Sequence, residues 1–168
     1  MNLGLSGLAA AAALTMTACA TPAAPAVVIT DLSSDDLPGN VRALAEGAAA
    51  GFVVSEAQKK VREGRIYYDV EGSLPDGSEI EFDILMTAQG PEIVEIQRDM
   101  PWAEVPASVR AAAEASAPGM LPARVIESRQ PDGAVIYELF APGAPADPAM
   151  EVSLMGGAAA VLAERWPH

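Results

Sequence analysis

The two side chains that most often carry nucleophilic or metal chemistry occur once each, as Cys19 and His168. A Ser-His-Asp triad or a zinc site would have to be built on His168, the last residue of the sequence, and chain ends fray. A lone cysteine excludes an internal disulfide and any multi-cysteine metal centre. No phosphate-cradling or dinucleotide-binding glycine pattern occurs. Carboxylates therefore remain as the abundant reactive groups. Glu79, Glu81 and Asp83 recur at every second position and share one face of a strand. Such a row is either a solvated outer face or a patch for a cation or a basic partner. No EF-hand spacing accompanies it, so no dedicated metal site and no cofactor is expected. An enzyme using only Asp, Glu and Tyr would need a deep pocket enclosing two carboxylates. Tyr67, Trp102 and Trp166 are the candidate partner-binding aromatics, because exposed aromatics carry binding energy at interfaces. Each Trp has core packing as its alternative role.

The 168 residues suffice for one ordinary domain or two small ones, and 51% of them are apolar, much of that alanine. The net charge is −13. Phosphates and anionic membrane surfaces repel such a chain, so nucleic-acid binding is not expected. A partner with a basic surface is favoured.

The amino-terminal segment 1–18 carries no charged side chain. Its apolar run, Leu3 to Leu14, is short for a bilayer span and suits the core of a signal peptide. Met16-Thr17-Ala18-Cys19 then resembles a bacterial lipoprotein signal, with Cys19 as the lipidated residue. The expected product is an envelope protein anchored through lipid on Cys19 and facing the periplasm. Cleavage at Ala18-Cys19-Ala20 without lipidation would give a soluble periplasmic protein instead. Residues 19–36 read as the lipidated cysteine and a linker.

Two stretches recur along the remainder of the chain. Gly64-Arg65-Ile66-Tyr67-Tyr68-Asp69-Val70 returns as Gly133-Ala134-Val135-Ile136-Tyr137-Glu138-Leu139, 69 residues on. Leu37-Pro38 to Ala43 returns as Val105-Pro106 to Ala111, 68 residues on. Matches at nearly one spacing predict a tandem repeat, 37–101 and 102–168. Within the first copy, Leu37, Val41, Leu44, Ala45 and Ala48 fall on one helical face, with Ser33 to Asp36 and Pro38 as start signals. Strands are expected over Phe52 to Arg62, around Ile66 to Val70, around Ile80 to Ile84, and over Ile93 to Gln97. The second copy offers a helix from Val105 and strands over Leu121 to Arg129, Val135 to Leu139, around Val152 and Leu154, and over Ala159 to Arg165. The fold class is α+β, each copy one helix followed by an antiparallel meander of about four strands.

The Pro-led helices, the turn glycines Gly64 and Gly133, and the strands Tyr68-Asp69-Val70 and Tyr137-Glu138-Leu139 together resemble the PepSY-like family. That family includes the group similar to β-lactamase-inhibitor proteins. The insert Ala141 to Pro148, with its three prolines, departs from the pattern. The resemblance implies an envelope or secreted protein that binds, and in some members inhibits, another protein without chemistry of its own. The expected function is therefore a non-enzymatic envelope lipoprotein that engages another envelope protein through its sheet. The alternative is a periplasmic binder of a small ligand or divalent cation.

Overall fold

The computed structural model describes residues 27–166. The expected signal segment, Cys19 and His168 lie outside the described residues. Among these described residues, nine strands form one antiparallel sheet in sequence order. They are β1 (Val28–Leu32), β2 (Val53–Arg62), β3 (Arg65–Ser73), β4 (Glu79–Thr87), β5 (Gly90–Asp99), β6 (Arg124–Arg129), β7 (Val135–Phe140), β8 (Met150–Met155) and β9 (Ala158–Val161). Helix α1 (Gly39–Ala48) precedes β2, and α2 (Ala107–Ser116) lies between β5 and β6. The α+β class is as the sequence predicts.

Several boundaries differ from expectation. β1 falls inside the stretch read as linker. Its backbone pairs along the outer edge of β2, from Val28 opposite Val61 to Leu32 opposite Ala57, and so covers an edge that would otherwise be bare. The polar run ahead of α1 does not cap it: Ser33 Oγ donates to Asp36 Oδ2 across a separate 3-10 turn, and the α-helix starts after Pro38. β6 starts at Arg124 rather than Leu121, and β9 ends at Val161.

Both helices lie on the same face of the sheet. Val41 and Ala45 of α1 are fully buried, and they pack in a core with Tyr68, Val70, Phe82 and Ile84. Val109 and Ala113 of α2 pack with Val125, Tyr137, Leu139 and Val152. Small alanines at the contact let each helix lie close to the strands. The register joins the two cores: Ile96 pairs with Arg129, Arg129 with Val135, and Val135 with Leu154, all on the covered face. Between the cores that face turns polar. Arg98 Nε and Arg129 Nε donate to Glu127 Oε1 at 2.9 and 2.8 Å, and the Tyr137 hydroxyl lies 3.4 Å from Glu127 Oε2. Burial alone would raise the Glu127 pKa, but the two guanidiniums hold it below the usual carboxylate value.

Candidate functional site

Period-two alternation sends Asp69, Glu81 and Asp83 to the face opposite the helices, since Tyr68, Val70, Phe82 and Ile84 point into the first core. The register then lines up side chains across five strands. Asp31 is opposite Gln58, Gln58 opposite Asp69, Asp69 opposite Asp83, and Asp83 opposite Glu95. A β-bulge sits beside this row. Asp83 pairs with Glu95 but Ile84 pairs with Ile93, leaving Val94 as the extra residue of β5. Bulges twist and bend the strand that carries them.

This open face is concave. Gln58 and Lys60 of β2 and Glu138 of β7 line one cavity of about 330 Å³ that opens to solvent. In a flat sheet, strands five places apart would be separated by roughly 24 Å. Curling also explains the burial: Asp69 and Asp83 are each 6% exposed, and Ile136, on the same face, is wholly buried. Of the row Glu79, Glu81 and Asp83, Glu79 is exposed, Glu81 half-buried and Asp83 buried, so the row runs from solvent inward rather than lying wholly in water. Further carboxylates reach the cavity from Glu56, Glu71 and Glu81.

The row differs from one member to the next in its partners. Asp69 forms an ion pair through Oδ2 with Lys60. Burial disfavours the Lys60 charge, yet the hydrogen bond and charge of Asp69, with Asp83 and Glu81 behind it, hold the ammonium's pKa above its ordinary value. Glu95 Oε1 accepts from the Ser128 hydroxyl and from Gln130 Nε2. Oδ1 of Asp83 has no such donor. Burial, then the charges of Asp69, Glu81 and Glu95, drive the Asp83 pKa well up. Glu81 is raised to about 7 by burial and by the charges of Asp69 and Glu71.

The three candidate aromatics do not meet. Tyr67 lies on the open face, half-buried, with the guanidinium carbons of Arg62 and Arg65 at 5.1 and 5.5 Å from its ring centre. It lines a small cavity with Lys60, Asp69 and Asp83. Trp102 is also half-buried, but it packs against the second core on the covered face. Trp166 follows β9, and its backbone N–H donates to Glu151 Oε2 at 2.6 Å. Sequence reasoning singled out Glu81 and Asp83 but passed over Asp69, Lys60, Glu95 and Glu138. Asp69 was readable, because it alternates with the apolar Tyr68 and Val70. Its nearness to Asp83 needed the register of the β3–β4 hairpin.

No family model and no curated protein matches this chain.

Proposed function

We propose that this protein is a non-enzymatic, lipid-anchored envelope protein that binds another envelope protein, one with a basic surface, through the concave face of its sheet. The observation that carries the reading is the 330 Å³ open cavity walled by Glu56, Asp69, Glu71, Glu81 and Glu138, with Lys60 beside Asp69. Such a concave acidic wall steers and orients a cationic protrusion. Among the described residues, both helices occupy the opposite face and no helix covers the concave one. Tyr67 is the aromatic placed to contribute there; Trp102 serves the core. Within this reading, Cys19 carries the lipid and the Pro/Ala-rich stretch Thr21 to Pro25 is the tether.

The finer architecture belongs to the same proposal: two tandem copies of a PepSY-like unit fused edge to edge. The helix-then-four-strands order occurs twice. Matched positions also share burial: Leu37 with Val105, Val41 with Val109, Ala45 with Ala113, and Tyr68 with Tyr137. Both turn glycines, Gly64 and Gly133, have positive φ.

Affinity capture from an envelope extract tests the binding reading, with wild-type bait beside a Glu71→Lys/Glu81→Lys variant. The expected outcome is a stoichiometric protein that elutes as salt is raised and is absent from the variant. A clean wild-type bait, or a partner that the variant keeps, overturns it.

A further inference from the structure

Asp69, Glu81 and Asp83 each offer a carboxylate oxygen to one small volume, and these oxygens lie within 4.8 Å of one another. Acidic neighbours alone are common. Here a second observation singles the place out. Oδ1 of Asp69 and Oδ1 of Asp83 are both buried from water and meet no hydrogen-bond donor from outside the pair, and each residue is more than nine-tenths buried. Buried acceptors are almost always satisfied. The neighbouring Glu95 obeys that rule through Ser128 and Gln130. Lys60 reaches only Oδ2 of Asp69.

We propose that Asp69, Glu81 and Asp83 form a binding site for a single hard divalent cation of the calcium class, entered from the open-face cavity. Donor chemistry selects the class: three carboxylates and no imidazole or thiolate suit calcium, magnesium or manganese rather than zinc or copper. Geometry favours calcium. It holds oxygens at about 2.3–2.6 Å in a flexible shell, so its ligands stand up to about 5 Å apart, whereas magnesium at about 2.0–2.1 Å demands a tighter octahedron. The ligands come from two paired strands, with Asp69 directly opposite Asp83, which fixes their spacing before an ion arrives. The entry route exists, since Asp69, Glu81 and Lys60 all line the larger cavity. Lys60 keeps 27% of its side chain exposed and can withdraw as an ion approaches.

Calcium is titrated calorimetrically into the chelator-treated protein at roughly physiological ionic strength, where diffuse binding to the acidic surface is screened. The expected result is one saturable site per chain, with Kd on the order of 0.1–1 mM and weaker competition by magnesium. Thermal melts should rise with calcium over the same range. Asp83→Asn and Glu81→Gln should each weaken binding at least about tenfold, as loss of a charged ligand does, while Glu46→Gln on α1 leaves it unchanged. Far-UV circular dichroism and the melt of each variant in chelator check its fold, and Glu81, half-buried at the rim, is the substitution that least threatens it. Absence of a saturable site up to about 10 mM, well above the range of weak calcium modules, overturns the proposal. So does wild-type affinity in both folded variants. No protein partner is needed for the titration, so its failure is separate from failure of the partner-binding reading.

Discussion

Asp83 stands between Asp69 and Glu95 in one register row, and all three are almost wholly withdrawn from water. Burial, and then the like charges held this way, disfavour ionisation. The direction of the shifts sets the consequence for stability. Glu81, facing Lys60 on β2, Asp69 and Glu71 on β3 and Glu95 on β5, has its pKa raised from 4.5 to about 7, and the Asp83 pKa is raised as well. A folded state that keeps a proton longer than the unfolded chain gains stability at low pH and loses it as pH rises through the folded pKa. In chelator, the thermal midpoint is therefore expected to fall between about pH 5 and pH 7.5, and Glu81→Gln should flatten that fall. An unchanged slope in the variant would show that burial and its acidic neighbours do not make Glu81 hold its proton in the folded protein. Glu127 has the opposite sign: its lowered pKa contributes stability above its unfolded value and loses it in acid. The two effects occupy different pH ranges and separate in one profile.

At the scale of elements, Gly72 in β3 decides how closely the strand meets Phe52. A Cβ there would stand 2.3 Å from the Val53 carbonyl oxygen and 2.5 Å from the Phe52 ring. That ring is packed edge-on against Phe82 at 5.1 Å between centroids. Gly72→Ala is expected to cost about 1–3 kcal/mol, the range for overpacking a filled core, and chemical denaturation measures it. A neutral result would mean that Phe52 moves aside without loss. Much at this scale was legible. The alternation of Ile80, Phe82 and Ile84 with acids marked β4, and the helical spacing of Val41 and Ala45 marked the buried face of α1. β1 was missed because Val28-Ile29-Thr30-Asp31-Leu32 alternates weakly and comes after a Pro/Ala-rich run. Its strand state comes from the edge of β2, a long-range partner. The bulge at Val94 was hidden for the same reason, since a bulge is a mismatch between two strands and not a property of one. So the sequence showed which acids share a face, while the curvature that withdraws Asp69 and Asp83 from water belongs to the assembled sheet.

At the scale of the whole molecule, the described residues form a one-sided object. Both helices and both apolar cores lie on one face of a continuous nine-stranded sheet, joined across β5 and β6 by four register pairs. The other face curls inward and carries carboxylates, within a chain of net charge −13. On the proposed reading, the covered face is scaffold and the open one recognises a partner. The most direct check places a photo-crosslinking amino acid at Gln58 or Gln97, both lining the concave cavity, and at Glu46 on the solvent side of α1, in the cells that make the protein. The account predicts a discrete protein adduct from Gln58 or Gln97 and none from Glu46. Adducts only from Glu46, or none from the cavity positions, would contradict the claim that the concave face is where this protein works.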